Sequence, residues 1–150
     1  MRSIFIYLKT TTADELDLFL NSYFAQSPPK SAPGAYRWFW ETDGAPVLYI
    51  DFYNEYDAEL EPETKEALYH ALGGPPTTSL SADVSGRHPG DQEVRSFIHL
   101  VLSSFEGLAQ DDYTDSFWTL LEIEQGHCHL GHPFFDYQGW YEDDKRRTAG

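Results

Sequence analysis

The apolar residues of the chain fall into short runs and into three- and four-residue repeats, which predict alternating strands and helices. Residues 4–8 form an apolar run between polar neighbours and predict a central strand. Thr12 and Glu15 then have the spacing of a capping box, so we expect a helix to begin there. Its buried face would carry five residues at helical spacing: Leu16, Phe19, Leu20, Tyr23 and Phe24.

The next pattern predicts a loop, a hairpin and a second helix. Residues 26–34 contain three prolines and a glycine and predict the loop. Residues 36–41 and 47–53 predict two strands around a turn at Asp43 and Gly44. A helix is expected from Pro62 to Leu72, followed by a fourth strand at residues 79–84. The resulting βαββαβ order is that of a ferredoxin-like sheet.

The second half of the chain predicts further helical structure. A long helix is expected after Asp91, because apolar residues keep helical spacing up to Gly107. A short strand at residues 113–118 and a short helix, opened by a second capping box at Thr119, would follow. We expect the charged residues 142–150 to fray. The prediction is one α+β domain over residues 1–150, with a ferredoxin-like core, an added long helix and a C-terminal extension.

Composition supports a folded chain in a reducing compartment. Ten Phe, ten Tyr and four Trp in 150 residues are too many for a disordered protein. The single cysteine, Cys128, cannot form an intramolecular disulfide. No apolar run approaches the ~20 residues that cross a bilayer. We therefore expect a cytoplasmic protein.

The charge balance restricts the partners. The chain has 25 acidic and 10 basic residues, a formal net charge of −15. Phosphate backbones and anionic membranes repel such a surface, so we expect neither nucleic acid nor membrane as a partner. A basic protein would be attracted. The alternative is that the charge serves solubility alone.

Two groups of acidic residues are the expected partner-binding sites, with Trp140 as an aromatic anchor. Clustered carboxylates repel one another, and the basic side chains of a partner would relieve that repulsion. The alternative is a hydrated face. The first group is Asp51, Glu55, Asp57, Glu59, Glu61 and Glu63, and the second is Asp111, Asp112 and Asp115.

A histidine cluster offers a second kind of site. His127, His129, His132 and Asp136 have donor types that hold zinc, although the histidines could equally bond backbone groups. We expect no cofactor. Common catalytic motifs are absent from the sequence, so we expect a protein that is not an enzyme.

The turn at residues 83–90 is a weaker candidate. Arg87 could bind an anion, with Asp83 and His88 as base and acid. The favoured interpretation is a structural turn in which Arg87 pairs with a nearby acid.

Residues 80–140 resemble small bacterial immunity proteins that are encoded beside polymorphic toxins. The similarity lies in five blocks: residues 83–90, 105–107, 111–113, 118–120 and 131–137. The resemblance implies a cytosolic protein that binds and blocks a toxin domain, and it assigns no role to any single residue.

Three hypotheses follow. The first is an immunity-type protein that neutralises a cognate basic toxin through its acidic surface. The second is a small metal-dependent hydrolase that uses His127, His129 and His132. The third is a domain that pairs with itself through a sheet edge, although self-repulsion favours a monomer or a weak dimer.

Overall fold

The computed structural model describes residues 2–24 and 36–149. The predicted loop at residues 26–34 lies outside the described residues. The strands are β1 (Arg2–Leu8), β2 (Trp38–Thr42), β3 (Ala45–Phe52), β4 (Thr78–Val84), β5 (Gly107–Asp111), β6 (Cys128–His129) and β7 (His132–Pro133). The helices are α1 (Ala13–Asn21), α2 (Tyr56–Glu59), α3 (Pro62–Leu72), α4 (Asp91–Ser104), α5 (Leu120–Glu124) and α6 (Tyr137–Ala149).

Five of the strands form one antiparallel sheet in the order β2-β3-β4-β1-β5. The expected α+β class is therefore confirmed. Ile4 of β1 pairs with Ala82 of β4 on one side and with Asp111 of β5 on the other. The strand predicted at residues 4–8 thus has neighbours on both sides, as expected. β6 and β7 form a separate two-stranded hairpin.

The ferredoxin-like strand order is not confirmed. A split βαβ unit requires β1 and β2 to be parallel with one strand between them. Here β3 and β4 both lie between them, and β2 runs opposite to β1 because every pairing in the sheet is antiparallel. Strand order depends on pairing between distant segments, and the βαββαβ pattern alone leaves that pairing open.

Two predicted elements of the second half differ from the structure. The sheet strand is β5, and the expected strand at residues 113–118 is reduced to one bridge between Trp118 and Ala109. The Asp111 carboxylate accepts the amides of Tyr113 and Thr114, which folds this stretch into a turn. The predicted tail from Glu142 belongs to helix α6 up to Ala149. Its fraying stays a prediction.

The two faces of the sheet carry two cores, because successive side chains of a strand point to opposite faces. Ile4 and Ile6 belong to the larger core, together with Leu16 of α1 and Phe97 of α4. Tyr7 points the other way, into a smaller core that also contains four buried residues: Tyr53, Leu68, Leu72 and Leu108. Helix α3 therefore covers the face opposite to α1 and α4, and the acidic residues described below lie at its start and on the neighbouring α2.

Among the described residues, no helix has the length and apolarity that crossing a membrane requires.

Candidate partner-binding and metal-binding sites

Five exposed carboxylates lie on α2, at the start of α3, and just before each helix; we name this region the α2–α3 acidic surface. Glu61 precedes α3 and Pro62 opens it, at a position where its missing N–H costs nothing. Acidic residues are stabilised near a helix N-terminus by the helix dipole, so the sequence places them here at little cost. The five residues are Glu55, Asp57, Glu59, Glu61 and Glu63.

Only part of this surface is matched by the protein's own side chains. Lys65 Nζ lies 3.0 Å from Asp57 Oδ1, and the Tyr53 hydroxyl donates to Glu59 Oε2 at 2.7 Å. Within residues 2–24 and 36–149, no basic side chain lies within 4.0 Å of the carboxylates of Glu55, Glu61 or Glu63. Three of the five carboxylates therefore face solvent without a cation from the described chain.

Asp112, from the second acidic group, lies close to this surface. Burial raises the pKa of Tyr53, and the negative charges of Glu59, Glu55 and Asp112 raise it further. The charges of all three carboxylates therefore act on one phenol, although Asp112 is far from the other two in sequence. Asp112 is exposed, and its Oδ2 accepts the Ser3 amide at 2.7 Å. Asp115 is also exposed.

Asp51 belongs to a different environment. It lies on β3 and is half-buried, its Oδ1 is 3.9 Å from Arg37 Nε, and the same oxygen accepts the Phe52 amide at 2.8 Å. Its negative charge therefore has a cation nearby within the molecule.

Asp111 is a correction to the expected partner-binding set. Its side chain is buried, and its carboxylate accepts the amides of Phe135 at 2.8 Å, Tyr113 at 3.1 Å and Thr114 at 3.2 Å. Burial raises the pKa of Asp111, and the three amide hydrogen bonds oppose that rise. The residue joins the end of β5 to the segment before α6 and presents no carboxylate to a partner.

The alternative metal set of His127, His129, His132 and Asp136 does not come together as one site, because His132 is engaged elsewhere. Its Nδ1 lies 2.8 Å from Asp136 Oδ2 and its Nε2 lies 2.5 Å from Asp143 Oδ2. The hydrogen bond to Asp136 is the main cause that raises the pKa of His132, and the bond to Asp143 adds to it against the effect of burial. Both ring nitrogens are thus occupied, and His132 and Asp136 form a structural network.

Trp140 covers this network. Its ring packs on His132 with centroids 4.0 Å apart, and it stacks on Tyr113 at 6.4 Å. The half-buried indole therefore stabilises the packing of α6, and its role as a partner anchor stays a prediction.

The remaining two histidines meet a residue that the sequence reasoning had not included. His127 Nε2 and His129 Nε2 lie 3.7 Å and 3.8 Å from the same Glu122 oxygen, Oε2. The potential ligand atoms of these three residues all lie within 4.8 Å of one another. The capping box of α5 positions Glu122. The sequence contains this capping-box pattern, but the pattern by itself predicts only the start of a helix.

The turn after β4 has a structural role. Arg2, and not the expected Arg87, stabilises it. The Arg2 guanidinium donates to the carbonyls of His88 at 2.5 Å and Pro89 at 2.6 Å. Asp83 accepts from the hydroxyls of Ser3 and Tyr36, both at 2.5 Å. Arg87 is exposed and makes no ion pair with the described residues. The Asp83 carboxylate and the carbonyls of His88 and Pro89 are therefore engaged in the fold.

Comparison of the chain with models of protein families, with curated proteins and with solved structures yields no match.

Proposed function

We propose that this protein is an immunity-type inhibitor that binds a basic toxin domain through the α2–α3 acidic surface. The observation that carries the proposal is the set of exposed carboxylates on Glu55, Glu61 and Glu63, which have no cation within reach in the described chain. Lysine and arginine side chains of a partner would supply the missing charge and relieve the repulsion among them.

The neighbouring groups suit an interface. Asp112 would extend the negative surface beyond α2, and half-buried Tyr56, the first residue of α2, would contribute an aromatic ring. Tyr113 follows Asp112 and stacks on Trp140, which would give the interface an aromatic rim. Interfaces of this kind combine aromatic anchors with complementary charge. If the toxin is a nuclease, these carboxylates would occupy the positions of its substrate's phosphates.

The test is binding between the full chain and the toxin domain that the proposal expects a neighbouring gene to encode, measured by calorimetry and by stopped-flow kinetics at low salt. The site variant carries Glu55→Gln, Glu61→Gln and Glu63→Gln. The control variant carries Asp14→Asn, Glu41→Gln and Glu142→Gln, which are exposed acids on α1, β2 and α6. Both variants lose three negative charges, so only the position of the change differs.

We expect the site variant to lose roughly tenfold or more in affinity, mainly through slower association, and the control to stay within about threefold of the wild type. Equal losses in the two variants would mean that overall charge, and not this surface, attracts the partner. The absence of any complex at low salt would refute the inhibitor proposal.

A further inference from the structure

We infer that Glu122, His127 and His129 form a binding site for a divalent transition-metal ion of the Zn²⁺ type. The inference is independent of the proposed inhibitor function, because these residues lie on α5 and on the β6–β7 hairpin and not on the α2–α3 acidic surface.

The distances are close to those of an occupied site. Both histidines direct Nε2 at Glu122 Oε2, at 3.7 Å and 3.8 Å. Ligands at about 2.0–2.1 Å from a tetrahedral zinc ion stand roughly 3.3 Å apart. Both nitrogen-to-carboxylate distances therefore exceed that spacing by only about half an ångström, and the two histidine donor atoms lie within 4.8 Å of each other.

The local sequence fixes this arrangement. In the capping box of α5, the Thr119 amide donates to Glu122 Oε1 at 3.0 Å, which leaves Oε2 free to face the histidines. The His127 amide donates to the Glu122 carbonyl at 2.9 Å and ties the start of the hairpin to the helix. Hydrogen bonds of this kind orient a ligand before the metal arrives.

The His129 ring supplies a second, independent observation. Its Nε2 is buried and has no hydrogen-bond partner among the described residues. The 3.8 Å to Glu122 is too long for a hydrogen bond. The Trp118 ring packs edge-on against His129 with centroids 4.1 Å apart and holds it in this position. A buried nitrogen without a partner costs stability, and a metal ion bound between His129 and Glu122 would satisfy it.

The donor types select the class of ion. Two imidazoles and one carboxylate suit zinc and its neighbours in the first transition series and do not suit Ca²⁺ or Mg²⁺. The His127 side chain is 56% exposed, so the remaining coordination position faces solvent and could hold water or an anion. Cys128 is not part of the set, since its Sγ is not within 4.8 Å of all three donor atoms.

The test uses the full chain, stripped with a chelator and titrated with ZnCl₂ by calorimetry, and with CoCl₂ by absorption spectroscopy. Glu122→Gln is the sharpest variant, because glutamine also forms a capping box and so preserves α5 while weakening the ligand. His129→Gln is the second variant. His70→Gln and His99→Gln are matched controls, since both histidines are exposed and lie outside the cluster.

We expect one bound ion per chain and a thermal midpoint that rises with zinc concentration. Glu122→Gln and His129→Gln should each weaken zinc binding by roughly tenfold or more, while the controls bind as the wild type does. Wild-type affinity in both cluster variants would overturn the inference. Failure of the wild type to bind zinc, or loss of binding in Cys128→Ser, would also overturn it. None of these results bears on toxin binding, which is measured with metal-free protein prepared with a chelator.

Discussion

The carboxylates around α6 and those of the α2–α3 acidic surface are the same chemical group in opposite environments. Asp111 accepts three backbone amides, and Asp136 and Asp143 share the His132 ring between them. At the starts of α2 and α3, by contrast, Glu55, Glu61 and Glu63 have no charged partner in the described chain.

The difference shows that the acidic residues behind the net charge of −15 do not all have the same role in this molecule. Asp111, Asp136 and Asp143 have local donors, so their negative charge contributes to folding and is not available to a partner. Glu55, Glu61 and Glu63 keep their charge accessible. Acid clusters counted from the sequence therefore mix two roles, and burial together with hydrogen-bond partners separates them.

The largest expected effect is that of Asp111→Ala. Removal of the carboxylate would leave three amides without their acceptor, so we expect a loss of about 3 kcal/mol or more in the free energy of unfolding. Asp111→Asn keeps one oxygen and should lose less. Denaturant melts measure both. Asp115→Ala, an exposed neighbour, is the control and should change stability by about 0.5 kcal/mol or less. A similar small change for Asp111→Ala would remove the distinction between the two regions.

The second prediction concerns the His132 network. His132→Gln removes a charged donor between two carboxylates and should cost about 2 kcal/mol at pH 6. Because the folded-state pKa of His132 lies above the unfolded value of about 6.5, its contribution is complete below about pH 6. The contribution is then lost as the pH rises through the folded pKa. Denaturant midpoints from pH 5 to pH 9 should show the variant approaching the wild type at high pH. A constant difference across that range would contradict the charged network.

The smallest effect is expected for the triple variant Glu55→Gln, Glu61→Gln and Glu63→Gln. Loss of the favourable interaction with the helix N-termini and relief of mutual repulsion have opposite signs, so the net change should stay within about 0.5 kcal/mol. In 1 M salt, where the screening length is about 3 Å, the remaining difference should vanish. Thermal melts at two salt concentrations measure this. A loss above about 1.5 kcal/mol would mean that these carboxylates are structural like those around α6.

The sequence predicted the helix starts and the hairpin turn, whose conformations depend on residues close to one another in the chain. Both capping boxes form as expected, at Thr12 and at Thr119. Asp43 and Gly44 have the positive φ values, 53° and 77°, of the predicted hairpin turn. Helix α4 begins at Asp91, one residue before the predicted start, with Gly90 and not Asp91 as its cap. In each case the residues that determine the conformation lie within a few positions of it.

Non-local structure could not be predicted in this way. Residues 107–111 contain no β-branched residue, so the strand state of β5 comes from its pairing with β1 and not from its own propensity. The site shows the same limit. The spacing of His127 and His129 placed them together, but Glu122 joins them through the fold of α5 and the hairpin. The contact of His132 with Asp143 required the position of α6.

The location of β1 in the sheet has a consequence for how the chain is made. This strand is synthesised well before its two neighbours, β4 and β5, which end at residues 84 and 111. Until those segments leave the ribosome, a strongly apolar stretch has no hydrogen-bonding neighbour on either side. Pairing over such sequence separations is slow. Nascent chains that stall before β4 would therefore be prone to aggregate and would depend on chaperones, whereas the finished chain would not.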